Sequence, residues 1–135
     1  MNEKALDILN ENILGTLATV NQDGSPRSTP LHLITDGKSI YWFSSESTTH
    51  SLNIDRDSRV SLTLFSPDTS NGLKAVYFSV VCEKVSEGDI DLVRDLFKNR
   101  AGSFPQHFMS AAAYRLPIGS LDLEKSTGNC WYFYS

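Results

Sequence analysis

Residues 17–65 read LATVNQDGSPRSTPLHLITDGKSIYWFSSESTTHSLNIDRDSRVSLTLF, and this stretch decides the fold. It is punctuated twice by Asp-Gly, at Asp23-Gly24 and Asp36-Gly37. Glycine supplies the positive φ that tight turns between antiparallel strands require. The intervening runs are rich in β-branched and aromatic residues. ILGTLATV (13–20), SPRSTPLHLI (25–34) and SIYWFSS (39–45) therefore read as a three-strand antiparallel meander. RVSLTLF (59–65) alternates apolar and polar residues, the mark of a fourth strand with one buried face. Between strands three and four the chemistry changes. From Ser44 to Asn53 every residue except Glu46 and Leu52 is Ser, Thr, His or Asn, and Thr48 or Thr49 is placed to cap a short helix running to Asp55.

Outward from this stretch the pattern continues. Met1–Asn10 sets Ala5, Leu6, Ile8 and Leu9 at helical spacing, with Asn2 as a cap. LKAVYFSVVCEKV (73–85) predicts a long fifth strand. Asp89–Lys98 predicts a helix with Ile90, Val93, Leu96 and Phe97 on one face, capped by Asp89 or Ser86. AGSFPQHFMSAAA (101–113) reads as irregular or a single helical turn. YRLPIGSLDLEK (114–125) reads as a sixth strand broken near Pro117–Gly119, and GNCWYFY (128–134) as a last short one. Strands in this number with short helices point to a β-barrel with helices on its rim.

Composition bounds the function. A chain of 135 residues, 40% hydrophobic and 21% charged, fits one domain over 1–135. A net charge of −4 with no basic cluster argues against nucleic acid as a partner. No apolar run is long enough to span a membrane, and the polar, amphipathic start is unlike a signal peptide, so the expected address is cytoplasmic. Cys82 and Cys130 stand 48 residues apart, which is neither a redox pair nor a zinc knuckle; both are read as structural thiols. His32, His50 and His107 show no metal-ligand spacing, so no metal site is expected. No G-x-G-x-x-G joins a strand to a helix, which excludes a Rossmann fingerprint.

Two positions carry alternatives. Pro30 has no N–H for a sheet ladder, so it belongs on an edge strand or at a bulge. A bulge would shift the side-chain alternation by one and bring Arg27 and His32 to the same side; an edge strand would leave Arg27 solvated. STTH (47–50) is either an ordinary N-cap with an exposed His50 or an anion site. A helix start offers free N–H groups, hydroxyls and a favourable dipole, and Arg27 from the neighbouring strand could add a forked charge.

The order of these features resembles the pyridoxamine 5′-phosphate oxidase-like FMN-binding split barrels. A strand reading L-A-T is followed by a D-G turn, P-R-x-x-P, a second D-G turn and an aromatic strand ending in hydroxyl residues. A short S/T-x-basic turn, N-I and R-V-S-L complete it. Residues 13–66 carry the resemblance clearly, and 75–135 follow the family layout more loosely. It implies a mainly β (α+β) fold, a six- to seven-stranded antiparallel Greek-key split β-barrel with short helices on the rim. It also implies an FMN cofactor, a homodimer with the cofactor at the subunit interface, and flavin-dependent oxidoreductase activity on a small-molecule redox substrate.

Site residues follow from the same resemblance. Arg27, Ser28 and Thr29 match the place where the family's second strand meets the flavin. His32 matches a position where some members carry Lys near the cofactor. Phe43, Ser44 and Ser45 match the strand that passes the ring and ribityl chain, and Thr48, Thr49 and His50 match the phosphate turn. Many members carry Lys or Arg where this chain has Thr49 and His50, which implies FMN binding that varies with pH. The vitamin B6 oxidase continues into a longer C-terminal segment with basic residues, so pyridoxamine phosphate is not the expected substrate. A non-catalytic flavin-binding or stress-related protein, and a split barrel using haem or F420, are the alternatives. No acid or base stands out; His107 and Tyr114 qualify by residue type alone. Trp42, Trp131, Tyr132 and Tyr134 are either walls of the flavin ring or plain core.

Overall fold

A computed structural model describes residues 3–11, 13–70, 72–118 and 130–134, the first two and last five of these as backbone only. The elements in chain order are helix α1 (Glu3–Glu11), strands β1 (Leu14–Val20), β2 (Pro26–His32), β3 (Ile34–Thr35) and β4 (Ser39–Ser44), helix α2 (Thr49–Arg56), strands β5 (Arg59–Phe65), β6 (Lys74–Val81) and β7 (Glu83–Lys84), helix α3 (Ile90–Ala101), a 3-10 turn (Gln106–Phe108), and strands β8 (Ala112–Pro117) and β9 (Cys130–Tyr134). They form two antiparallel sheets, ordered β2-β1-β5-β6-β9 and β3-β4-β8-β7. The expected class, a mainly β split barrel with helices on its rim, is what the chain adopts.

The second sheet is apolar on both faces, and the pleat explains why. Side chains alternate across a strand. Ile40 and Trp42 of β4, with Ala112, Tyr114 and Leu116 of β8, point into a core shared with Leu17, Leu62, Leu64, Val76 and Phe78 of the first sheet. Tyr41, Phe43 and Ala113 point the other way, into a second core with Val93 and Phe97 of α3. Phe43, Phe97, Phe104 and Phe108 meet there at ring separations of 4.9–5.9 Å, mostly edge-on. Burying each large side chain of this kind contributes roughly 1.5–3 kcal/mol. Trp42 stacks on Tyr114 at 5.9 Å between the sheets. Both are fully buried, and neither Trp42 Nε1 nor the Tyr114 hydroxyl has a hydrogen-bond partner among the described residues.

Two expectations are corrected, and the alternative left open at Pro30 is decided for the edge strand. The three-strand meander is divided between sheets: β1 pairs with β2, but β4 pairs with β3 and β8. The chain changes sheet at Leu33, whose N–H bonds the Ile13 carbonyl at 2.7 Å. The fifth strand is likewise cut at Cys82, whose N–H turns to the Ser58 carbonyl, so that Glu83 and Lys84 join β8. Nor is there a bulge at Pro30. The β1–β2 register runs unbroken from Leu14↔His32 to Val20↔Pro26, and β2 is an edge strand, which satisfies Pro30 directly. Arg27 and His32 therefore stay on opposite faces.

The predicted Asp-Gly turns carry Gly24 and Gly37 at φ 86° and 85°. Gly15 serves a different purpose, close approach: a Cβ there would lie 2.5 Å from Leu33 Cδ1 and 2.8 Å from the Thr63 carbonyl oxygen. The Asn2 cap and the continuation of the sixth strand beyond Ile118 lie outside the described residues. Cys82 is buried, and burial pushes its thiol up to about 12, so it stays protonated and packs as a small hydrophobe. The side chain of Cys130 lies outside the described residues. Among the described residues no helix is long and apolar enough to cross a membrane, and no group of His, Cys, Asp or Glu is placed to hold a metal.

Candidate functional site

The hydroxyl-rich segment after β4 forms the start of α2. Thr48 is the N-cap, extended at ψ 152°, and its side-chain oxygen accepts from the Ser51 N–H. The same hydroxyl lies 2.7 Å from Ser51 Oγ and 3.0 Å from the Ser45 carbonyl, so the turn is laced to itself. Ser45 and Ser47 share a hydrogen bond at 2.9 Å. Ser51, Asn53 and Ile54 form the buried side of α2, and Arg56 lies in its last turn, favourable to the helix dipole. Of the two caps that the sequence offers, Thr48 and Thr49, the structure uses Thr48.

His50 sits in the first turn, half-buried. Its Nε2 lies 2.8 Å from Ser44 Oγ and 3.3 Å from Thr48 Oγ1. Arg27 comes to this helix from β2 through Asn21, whose Oδ1 accepts both from Arg27 Nε and from Asn53 Nδ2 of α2. Burial first, and the Arg27 charge second, hold His50 below its ordinary value of 6.5. Two basic groups thus converge on a helix N-terminus, itself a site of partial positive charge. Among the described residues no carboxylate pairs with either. Arg27 is exposed and engages only its Nε, 3.0 Å from Asn21 Oδ1, which leaves both terminal guanidinium nitrogens unengaged by the described residues. The hydroxyl of Thr49 is likewise free among the described residues and exposed. First-turn N–H groups have no intrahelical partner. A cation, a titratable imidazole, hydroxyls and N–H groups without a counter-charge are a donor set that suits a phosphate, so these residues fit the FMN tail that the resemblance implies.

The expected site residues fall in three places. Arg27, Ser44, Ser45, Thr48, Thr49 and His50 gather at this end of the barrel. Ser28 and Thr29 follow Arg27 along β2, opposite Ala18 and Leu17. His32 and Phe43 stand apart. The His32 ring packs on Phe97 with centroids 4.6 Å apart, its Nε2 buried and unpartnered among the described residues, and burial lowers its pKa. Phe43 points into the second core. Along 42–44 strand β4 pairs with β8 on one edge, while β3 ends at Thr35↔Ile40 and Ile34↔Tyr41, so beyond Tyr41 the other edge carries no described strand.

The acid–base candidates are not at the turn's outer face. His107 is exposed in the 3-10 turn, its ring beside Phe108. Tyr114 is completely buried, and burial pushes its hydroxyl above the ordinary value of 10.0. Trp42 is core; the side chains of Trp131, Tyr132 and Tyr134 lie outside the described residues.

Sequence reading missed a polar network beneath the turn. Asn53 is 2% exposed, and its Nδ2 donates to Thr19 Oγ1 at 3.0 Å and to Asn21 Oδ1 at 2.9 Å. Arg56 Nη2 donates to Asn53 Oδ1 and to the Val20 carbonyl, both at 2.9 Å. The one available signal was the Asn-Ile pair within the family pattern, which names Asn53 without revealing what it touches.

Comparison with known proteins agrees with this architecture. No curated protein matches the chain in sequence. Among solved structures, a protein of unknown function from Agrobacterium tumefaciens superposes with a TM-score of 0.76 at 18% identity, covering 97% of this chain and 55% of its own. A conserved hypothetical protein from Mycobacterium tuberculosis gives 0.74 at 23% identity, covering 98% of this chain and 84% of its own. A heme binding protein from Mycobacterium smegmatis gives 0.73 at 18% identity, covering 97% and 56%. The chain therefore spans little more than half the length of two of these three. Such identities speak for the fold alone. The family model described as pyridoxamine 5′-phosphate oxidase matches residues 1–112, which run from α1 to the start of β8 and include both Asp-Gly turns and the α2 cap. On that match and this fold, the chain belongs to the pyridoxamine 5′-phosphate oxidase-like split-barrel family.

Proposed function

We propose that this chain binds FMN, with the phosphate on the first turn of α2, and acts as a flavin-dependent oxidoreductase on a small molecule. The observation that carries the reading is that Arg27, tied through Asn21 to Asn53 of α2, and His50 of the first turn serve one helix, with neither paired to a described carboxylate. Arg27 offers a fork of N–H donors, Thr49 a hydroxyl, and the helix start its free amides. Ser44 holds the His50 ring in place at 2.8 Å. The bound flavin would supply electron or hydride transfer, and the protein would supply its orientation and exclude water around it.

The working unit is proposed to be a homodimer with the cofactor at the seam. An apolar groove of about 430 Å³ opens beside Ile13, Leu14, Pro30 and Phe65. Leu14 is 65% exposed, and Ile13 and Phe65 are nearly half exposed, which is surface that a second copy would cover. A haem-binding split barrel is the second reading, favoured by the fold shared with the mycobacterial heme binding protein. A histidine axial ligand needs an imidazole nitrogen free and facing the haem, and the unpartnered Nε2 of His32 is buried with its ring against Phe97. His50 Nε2 already meets Ser44, which favours the flavin.

The test is the absorption spectrum of the purified protein. A flavin gives a band at about 450 nm, F420 one at about 420 nm, and haem a Soret band at about 400 nm. A flavin band, release of FMN on heating, and a dimeric mass in light scattering support the proposal. A Soret band on the freshly purified protein sinks it. Bleaching by a reductant, followed by reoxidation with turnover of an acceptor, separates an enzyme from a binding protein.

A further inference from the structure

Resting on the phosphate reading above, we infer that Asn53 and Asn21 form a positioning relay that aims Arg27 at the anion on α2, although neither amide belongs to the phosphate turn. His50 and Asn53 are three residues apart on α2 and so share a helix face. One end of that face carries His50 itself. The other grips Asn21, in the β1–β2 turn, through Asn53 Nδ2 at 2.9 Å. Asn21 Oδ1 also accepts from Arg27 Nε at 3.0 Å. One carbonyl oxygen thus uses both lone pairs, one for the helix and one for the arginine. Two donors converging on that atom also fix the amide orientation of Asn21, whose Nδ2 turns away to Ser25 Oγ at 3.2 Å.

The helix end of the relay is itself fixed. Asn53 gives its second N–H to Thr19 Oγ1 and accepts from Arg56, so all the hydrogen-bonding groups of its buried amide are satisfied. A buried polar group held this way has one favourable geometry and transmits position rather than slack. The arginine end is different. Arg27 is exposed on an edge strand, and a long side chain there samples many rotamers. The bond at Nε, the inner nitrogen of the guanidinium, holds the fork while leaving both outer nitrogens without a described partner and so available to a ligand. The helix that supplies the anion turn thereby also sets the aim of the cation opposite it.

The experiment is a double-mutant cycle on the FMN/riboflavin affinity ratio, which isolates the phosphate contribution because riboflavin lacks that group. Apoprotein is titrated with both ligands for wild type, Arg27→Ala, Asn21→Ala and the double variant. Asn21 lies in a turn outside both cores, and its removal unpairs one N–H of Asn53 while the bonds of Asn53 to Thr19 and Arg56 remain. Asn21→Ala is expected to lower the ratio roughly two- to tenfold, the span of one orienting hydrogen bond. In the Arg27→Ala background the same change is expected to leave the ratio unaltered. A purely structural role for Asn21 would weaken both ligands alike and do so whether or not Arg27 is present; that result overturns the relay. A ratio that responds to Arg27→Ala but not to Asn21→Ala overturns the relay alone. A ratio that Arg27→Ala does not move overturns the phosphate reading and the relay together.

Discussion

His50 offers a sharp test of the anion turn because its protonation changes sign of preference when a ligand arrives. In the free protein, burial and the Arg27 charge hold its pKa below 6.5, so the ring is neutral at pH 7. A phosphate dianion beside it favours the imidazolium and raises the bound-state pKa. Binding therefore takes up a proton at every pH between the depressed free value and the raised bound value. Affinity is highest at the acid end of that window, falls as pH rises through it, and levels off once the ring is neutral in both states. The phosphate has its own second pKa near about 6, which opposes this trend in acid, so the informative range lies above pH 7. A charge-assisted hydrogen bond is worth about 1.5–3 kcal/mol. His50 is only half-buried, so solvent screening places the expected value near the lower bound, roughly a tenfold fall in affinity. The assay is fluorescence titration of apoprotein with FMN from pH 7 to 9. His50→Lys, charged throughout, should flatten the curve at high affinity; His50→Gln should flatten it at low affinity. Wild type and His50→Gln giving parallel curves would refute the reasoning and leave the phosphate to Arg27, the hydroxyls and the helix amides.

Two further outcomes concern stability. Gly15→Ala inserts a methyl 2.8 Å from the Thr63 carbonyl and into Leu33, so it should cost about 1–3 kcal/mol in denaturant titration; an unchanged midpoint would mean that β1 and β5 yield more easily than their register implies. His32 is held below 6.5 by burial, so the unfolded chain binds more protons, and stability is lost as pH falls below 6.5 towards the folded value. His32→Phe, which keeps a ring against Phe97, should raise the melting temperature at pH 5.5 more than at pH 7.5; an equal change at both would remove His32 from the acid response.

Much of this was legible in the sequence, and the reasons are local. RVSLTLF alternates strictly, and β5 occupies those residues with Val60, Leu62 and Leu64 inward. Thr48 precedes a run that can be helical, and its cap bond reaches only three residues along the chain. What stayed hidden depends on partners distant in sequence. Nothing in LHLI marks Leu33 as the place where the chain leaves one sheet for the other, because each half remains extended and apolar. Val81–Glu83 is silent for the same reason. Phe43 and Trp42 look alike in sequence, yet one faces α3 and the other faces the first sheet, and only the pairing with β8 decides which. Asn53 is an ordinary polar residue in a polar helix until Thr19 and Asn21, 34 and 32 residues away, are brought beneath it.

The stacked pair at the barrel centre gives the molecule an optical reporter. Trp42 has no exposed surface, and its Nε1–H meets no described partner, so its fluorescence should lie at the short-wavelength end of indole emission and resist quenching by iodide. It stands two positions before Ser44 on β4, about 7 Å along the strand from the turn that meets His50. A chromophore seated on that turn would accept its excitation energy. The sequence holds 2 tryptophans, so Trp131→Phe leaves Trp42 as the sole indole, and its dimming would report occupancy of the turn without any label.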